Sequence, residues 1–186
     1  MTLDEIRAEI DKIDSKMKEL FIKRMECARH VAEVKAATGG DVYVPEREQV
    51  ILERRSSDMD MQIRGEYTAF QRHLMSVCRR YEYGLLDMMQ EQAVSEALER
   101  SGFTADTEHS RVEIEFCCDY AGSTLNLFIN MADLNQVGIL ELKLRVQDGR
   151  QEVVMTLEGN VKDPGMKRLL CQIGKEAEAF RIVGLY

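Results

Sequence analysis

Apolar residues fall at Leu3, Ile6, Ile10, Ile13, Met17, Leu20 and Phe21, and neither proline nor glycine interrupts the chain before Gly39. Spacings that alternate between three and four are the seam of a long helix. A helix from about Leu3 to Ala37 is roughly 50 Å long at about 1.5 Å per residue, more than the rest of a small domain can cover. The seam therefore needs a partner chain. Pro45 opens a second helix through Val50, Ile51 and Leu52, and a third is expected from about Glu66 through Leu74, Met75, Cys78, Leu85 and Met88. Three helices, one very long, suggest an interlocked dimer.

Arg24 and Lys35 lie close to a whole number of turns apart on the first helix, so their long side chains project from one face toward a common point. Arg7 lies about 25 Å from Arg24 along the same rod and joins such a cluster only from an antiparallel second copy. At "DVYVPEREQV", Pro45 and Glu46 are ordinary helix-start chemistry, but a cation in a first turn works against the dipole. Arg47 thus has another reason to be there, and a ligand is one. Taken singly, each of these cations has a plain reading as a solvated side chain. The set is harder to dismiss.

The second half has a different character. After Arg100 the polar stretch "SGFTADTEHS" reads as a linker. Val112, Ile114, Phe116 and Cys118 then alternate with Arg111, Glu113, Glu115 and Cys117 as in a half-buried strand, and a helix follows Gly122 and Ser123. Leu140, Leu142, Leu144 and Val146 alternate in a second strand, and Asp148-Gly149 turns it into a third, "QEVVMTLEG". Asp163-Pro164 caps a last helix carrying Met166, Leu169, Leu170, Ile173, Ala177 and Phe180 at helical spacing, before a closing strand "RIVGLY". The order β-α-β-β-α-β is that of a ferredoxin-like sandwich, and the whole chain reads as α+β: residues 1–100 helical, 101–110 linker, 111–186 sandwich.

Several function classes are disfavoured. A net charge of -8, concentrated after Leu86, argues against nucleic acid as a general partner. No apolar run approaches a membrane span, and "MTLDEIRAEI" has no features of a secretory leader, so the cytoplasm is expected and no membrane partner. Cys27, Cys78, Cys117, Cys118 and Cys171 are an odd number without C-x-x-C spacing, and His30, His73 and His109 form no ligand pattern. Reduced thiols, no metal and no cofactor are expected.

Arg7 in "LDEIRAEIDKID", Arg24 in "FIKRMECA", Lys35 in "AEVKAA" and Arg47-Glu48 in "VPERE" resemble, in type and order, the all-helical class of chorismate mutases, above all the mutase segment of bifunctional chorismate mutase/prephenate dehydratases. The likeness covers about Met1 to Leu86. It implies an intertwined helical homodimer that rearranges chorismate to prephenate on the way to phenylalanine and tyrosine. Carried over, Arg24 binds one substrate carboxylate and Arg7 of the other subunit the second. Lys35 contacts a carboxylate and the ether oxygen, Arg47 adds positive potential, and Glu48 accepts from the substrate hydroxyl. Val44 stands where the family commonly has Asp, and Cys78 and Glu82, in "LMSVCRRYEYGLL", stand where it has Ser and Gln. Glutamine donates to the ether oxygen at every pH, whereas Glu82 donates only when protonated. Catalysis is therefore expected to improve as pH falls through the pKa of Glu82, with Lys35 moving that transition down and burial opposing.

The tail from "LEGNVKDPGMKRLL" to Tyr186 resembles the end of the ACT regulatory domains of prephenate dehydratases, over about Arg111 to Tyr186. Gly122 matches that family's glycine beside an amino-acid site, but the Glu-Ser-Arg-Pro signature is missing, its neighbourhood reading "ELKLRVQDG". A phenylalanine or tyrosine effector and a purely dimerising role both stay open. No room for a dehydratase domain lies between the halves, so no dehydratase activity is expected. Two other readings remain: a catalytically weakened regulatory partner of a shikimate-pathway enzyme that keeps the mutase fold, and a helical dimerisation module unrelated to chorismate.

Overall fold

A computed structural model of the chain describes residues 1–120 and 124–186. Gly122, expected beside an amino-acid site, lies outside the described residues. Four helices come first: α1 (Leu3–Thr38), α2 (Pro45–Ser56), α3 (Arg64–Gly84) and α4 (Asp87–Ser101). There follow β1 (Arg111–Asp119), α5 (Thr124–Leu134), β2 (Ile139–Gln147), β3 (Arg150–Glu158), α6 (Pro164–Glu176) and β4 (Glu178–Leu185).

Helix α1 is bounded by local chemistry. Thr2 accepts from the Glu5 N–H and the Glu5 carboxylate accepts from the Thr2 N–H, a reciprocal cap. At the far end Gly39 takes φ +72°, where a side chain would be strained, and its N–H bonds to the Lys35 carbonyl. Only Ala28 and Ala32 are buried along the 36 residues, against α3. Ile10, Ile13 and Met17 are each nearly half exposed, and Leu3 and Leu20 more so. No helix among the described residues is long and apolar enough to cross a membrane.

The third helix expected through Met88 is instead two. The Leu85 and Leu86 N–H groups bond back to the Glu82 and Tyr83 carbonyls, and Gln90 Nε2 caps the Tyr83 carbonyl at 2.8 Å. This tight turn swings Leu86 into a small core with Val42, Tyr83 and Cys171, which a straight helix would carry past it. α4 then runs across the C-terminal half. Its Val94, Ala97 and Leu98 join the core beneath the sheet, so its buried face serves that half although residues 1–100 read as helical in sequence.

The sheet order is β2-β3-β1-β4 with every neighbouring pair antiparallel, the β-α-β-β-α-β arrangement expected. Alternation in β1 is strict: Val112, Ile114 and Phe116 are fully buried, facing Leu157, Met155 and Val153 of β3. α5 and α6 cover that face with Phe128, Met131, Leu169, Leu170 and Ile173. Each such side chain contributes about 1.5–3 kcal/mol of burial. Asp148 and Gly149 both take positive φ, the primed turn that joins β2 to β3. β2 is an edge strand, and Leu140, Leu144 and Val146 remain about half exposed.

α6 ends at Glu176, earlier than the helical spacing through Phe180 suggests. Ala177 is extended, and Phe180 folds back over Gly174, where an added Cβ would lie 3.0 Å from the ring. Gly165 has a similar role at the other end, since a Cβ there would stand 2.4 Å from the Asn135 carbonyl oxygen.

Candidate functional site

A cavity of about 390 Å³ lies between the second half of α1, the loop into α2 and the buried face of α3. Arg24 and Lys35 line it from α1, Val44, Arg47 and Glu48 from the entrance of α2, and Cys78, Arg79 and Glu82 from α3. Seven of these eight are residues singled out in the sequence. Helical phase explains the convergence: Arg24, Ala28, Val31 and Lys35 recur every three or four positions, and Met75, Cys78, Arg79 and Glu82 stand at i, i+3, i+4 and i+7 of one helix face.

The cations differ in what they already hold. Arg24 Nη1 donates to the Cys78 sulfur, which lies 3.5 Å from the Met25 sulfur. Lys35 Nζ donates to the Val42 carbonyl at 3.1 Å and to Glu82 Oε2 at 3.3 Å. Arg47 is exposed at the mouth. Among the described residues no carboxylate pairs with Arg24 or Arg47. Two guanidinium groups that open on one cavity without their own counter-ions leave a positive field for an anion to occupy.

Burial pushes the Glu82 carboxyl up, against Lys35, Arg79 and Arg24, which favour its charged form. Desolvation outweighs the cations. The Cys78 thiol is likewise pushed up by burial, with Arg24 opposing, so it sits in the cavity as a neutral thiol.

Arg7 is not brought to the cavity by its own chain. It lies near the start of α1, two-thirds exposed, with Asp4 at 3.5 Å.

Arg79 escaped the sequence reading although it stands in the quoted stretch beside Cys78. Its side chain is 6% exposed. Nη1 donates to both oxygens of Glu48, at 2.5 and 2.6 Å, while Nε and Nη2 donate to the two oxygens of Glu176 on α6 at 2.8 and 2.7 Å. Tyr43 lies under the guanidinium at 4.8 Å. Burial alone would lower the Arg79 pKa, but Glu176 and Glu48 outweigh it and hold the group firmly cationic. The available signal was phase: Arg79 stands four positions after Met75 and one after Cys78, on the face of α3 that is buried, an unusual address for an unpaired cation. Among the described residues no group of three or more His, Cys, Asp or Glu is arranged to hold a metal ion.

Residues 6–83 match the chorismate mutase type II family model. That segment includes every cavity residue named above. The chain is 42% identical over 53 residues to the T-protein of Haemophilus influenzae, covering 28% of this chain and 14% of that one. It is 38% identical over 52 residues to the bifunctional chorismate mutase/prephenate dehydratase of Aquifex aeolicus, with 28% and 14% covered. With the chorismate mutase of Methanocaldococcus jannaschii the identity is 44% over 52 residues, 28% of this chain and 52% of that protein. The chain thus spans between 14% and 52% of the length of these curated relatives. No solved structure matches it significantly.

Proposed function

We propose that the chain is a chorismate mutase, an isomerase that converts chorismate to prephenate without cofactor or metal in phenylalanine and tyrosine biosynthesis. The observation that carries this reading is the pair Arg24 and Arg47, opening on one cavity with no carboxylate partner among the described residues, beside Lys35. The rearrangement is intramolecular and pericyclic. It needs the dianionic substrate folded into a reactive conformer and charge stabilised on the ether oxygen as the C–O bond breaks, and fixed cations do both.

In this reading Arg24 holds one carboxylate and Arg7 of a second copy the other. Lys35 contacts a carboxylate and the ether oxygen, Arg47 supplies potential at the mouth, Glu48 accepts from the substrate hydroxyl, and the protonated form of Glu82 donates to the ether oxygen. The Val44 backbone N–H adds a contact and Cys78 keeps Arg24 oriented. The uncovered α1 seam supports an intertwined homodimer in which the second copy buries Leu3 to Phe21 and delivers Arg7.

The C-terminal half is proposed as an ACT-type domain, supported by its sheet order and tail sequence. It carries either an amino-acid effector site near Gly122 or a second dimer contact. With no dehydratase domain between the halves, pure protein given prephenate is expected to yield no phenylpyruvate. A second reading, a weakened regulatory protein, draws on the Lys35–Glu82 pair, which engages the cation the ether oxygen would need.

Loss of chorismate absorbance in the wild type, abolished or reduced at least about 100-fold in Arg24→Ala, tests the proposal. Wild-type protein that leaves chorismate untouched across the pH range would refute it.

A further inference from the structure

The mutase reading uses Glu48 but leaves unexplained why Glu48 is gripped by an arginine that a different half of the chain holds. Glu48 sits in the first turn of α2, partly exposed, with Lys35 and Arg47 lining the same cavity. A glutamate left to itself there would be free to pair with either cation and neutralise the field meant for an anion. Arg79 prevents this by taking both Glu48 oxygens on one Nη1. A carboxylate has about four lone-pair sites, so a Glu48 held in this way still accepts from a hydroxyl.

Arg79 itself is oriented from outside the helical half. Its Nε–Nη2 edge is taken bidentately by Glu176 at the end of α6, whose side chain is 4% exposed, and Gln172 Nε2 donates to Glu176 at 3.0 Å. Tyr43 covers one face of the guanidinium. With one edge and one face fixed, the planar fork leaves Nη1 a single direction, toward Glu48.

We propose that Arg79 is a positioning residue for Glu48, aimed by Glu176, so that the C-terminal half sets the geometry of the hydroxyl-accepting end of the mutase site. The inference rests on the mutase reading. Arg79 touches no reacting atom and acts only through Glu48, which makes the role separable from general stability.

The test is a kinetic cycle on the intact chain, measuring kcat and KM for chorismate in wild type, Glu176→Gln, Glu48→Gln and the double variant. Glu176→Gln, nearly isosteric, is expected to lower kcat/KM about tenfold in the wild-type background and to change nothing further once Glu48 is Gln. Arg79→Lys, which keeps the charge but loses the fork, should match Glu176→Gln and fail to restore the rate. The paired Arg79→Gln, Glu176→Gln variant removes both buried charges together and serves if the single variant proves unstable, with the same expected dependence on Glu48. Equal losses in both Glu48 backgrounds would assign the ion pair to structure alone and overturn the inference, as would unchanged wild-type kinetics in Glu176→Gln. Those outcomes leave the mutase reading standing, whereas an inactive wild type overturns both.

Discussion

Lys35 and Glu82 meet at 3.3 Å across the cavity, an ion pair between the last turns of α1 and α3 whose side chains are only 20% and 10% exposed. Two opposing effects act on Glu82. Burial raises its pKa and Lys35, then Arg79 and Arg24, lower it, and burial wins.

The direction of that shift fixes a pH dependence. With the folded-state pKa above the ordinary glutamate value, the protonated donor survives to higher pH than in a free carboxyl, and it is lost as pH rises through the raised value. The mutase rate is expected to be highest on the acid side and to fall as Glu82 ionises. Glu82→Gln should flatten the profile, and a wild-type profile already flat, or unchanged by the substitution, would assign Glu82 no part in the chemistry. Stability carries the same sign: the contribution of this group is present below the unfolded pKa and lost as pH rises through the folded one.

Arg24 donates to a thiol and makes no salt bridge among the described residues, and Glu82, whose charged form it favours from a distance, keeps Lys35, so its loss leaves no buried anion unpaired. Arg24→Ala should therefore shift the thermal unfolding midpoint little while lowering kcat/KM at least about 100-fold. A melt lowered as much as the rate would mean that the residue is structural.

Arg79 is the opposite case. Arg79→Ala strands the Glu176 carboxylate in the interior and should cost about 3–5 kcal/mol in urea unfolding, whereas replacing Arg79 and Glu176 together by apolar residues of similar volume should cost far less. Equal losses for the single and double replacements would contradict a buried, mutually dependent pair.

How much of this was legible in the sequence differs from element to element. The α1 seam and the strict alternation of β1 needed only period and end signals, and both Gly39 and the Asp148-Gly149 turn are local chemistry. The break after Gly84 was not legible, because Leu85 and Met88 continue the helical rhythm and the turn answers to the burial of Leu86 against Cys171, a contact between distant parts of the chain. The end of α6 hid for a related reason, with Ala177 and Phe180 in phase although Phe180 folds back over Gly174. For the candidate site, helical phase and charge placement singled out Arg24, Lys35 and Arg47, whereas Val44, Glu48, Cys78 and Glu82 were named only through the family resemblance. Arg79 and Glu176 were missed, since a charged residue on a helix reads as solvated until a partner far along the chain is in view.

The exposed stripe on α1 makes a claim about assembly. Ile13→Glu places a charge in the seam and should convert the proposed dimer to monomer in sedimentation, with loss of mutase activity although Ile13 does not line the cavity. A variant that stays dimeric and active would mean that another surface makes the contact.

The proposed site draws its cations from two chains. Arg7→Ala and Arg24→Ala, each inactive alone, test this when denatured together and refolded as a mixture. If Arg7 of one copy serves the cavity of the other, half the dimers are mixed and each contains one site with both arginines, so activity should return to about a quarter of wild type under two-fold symmetry. A mixture as inactive as its components would contradict the account, because it would mean that Arg7 and Arg24 never meet across the dimer.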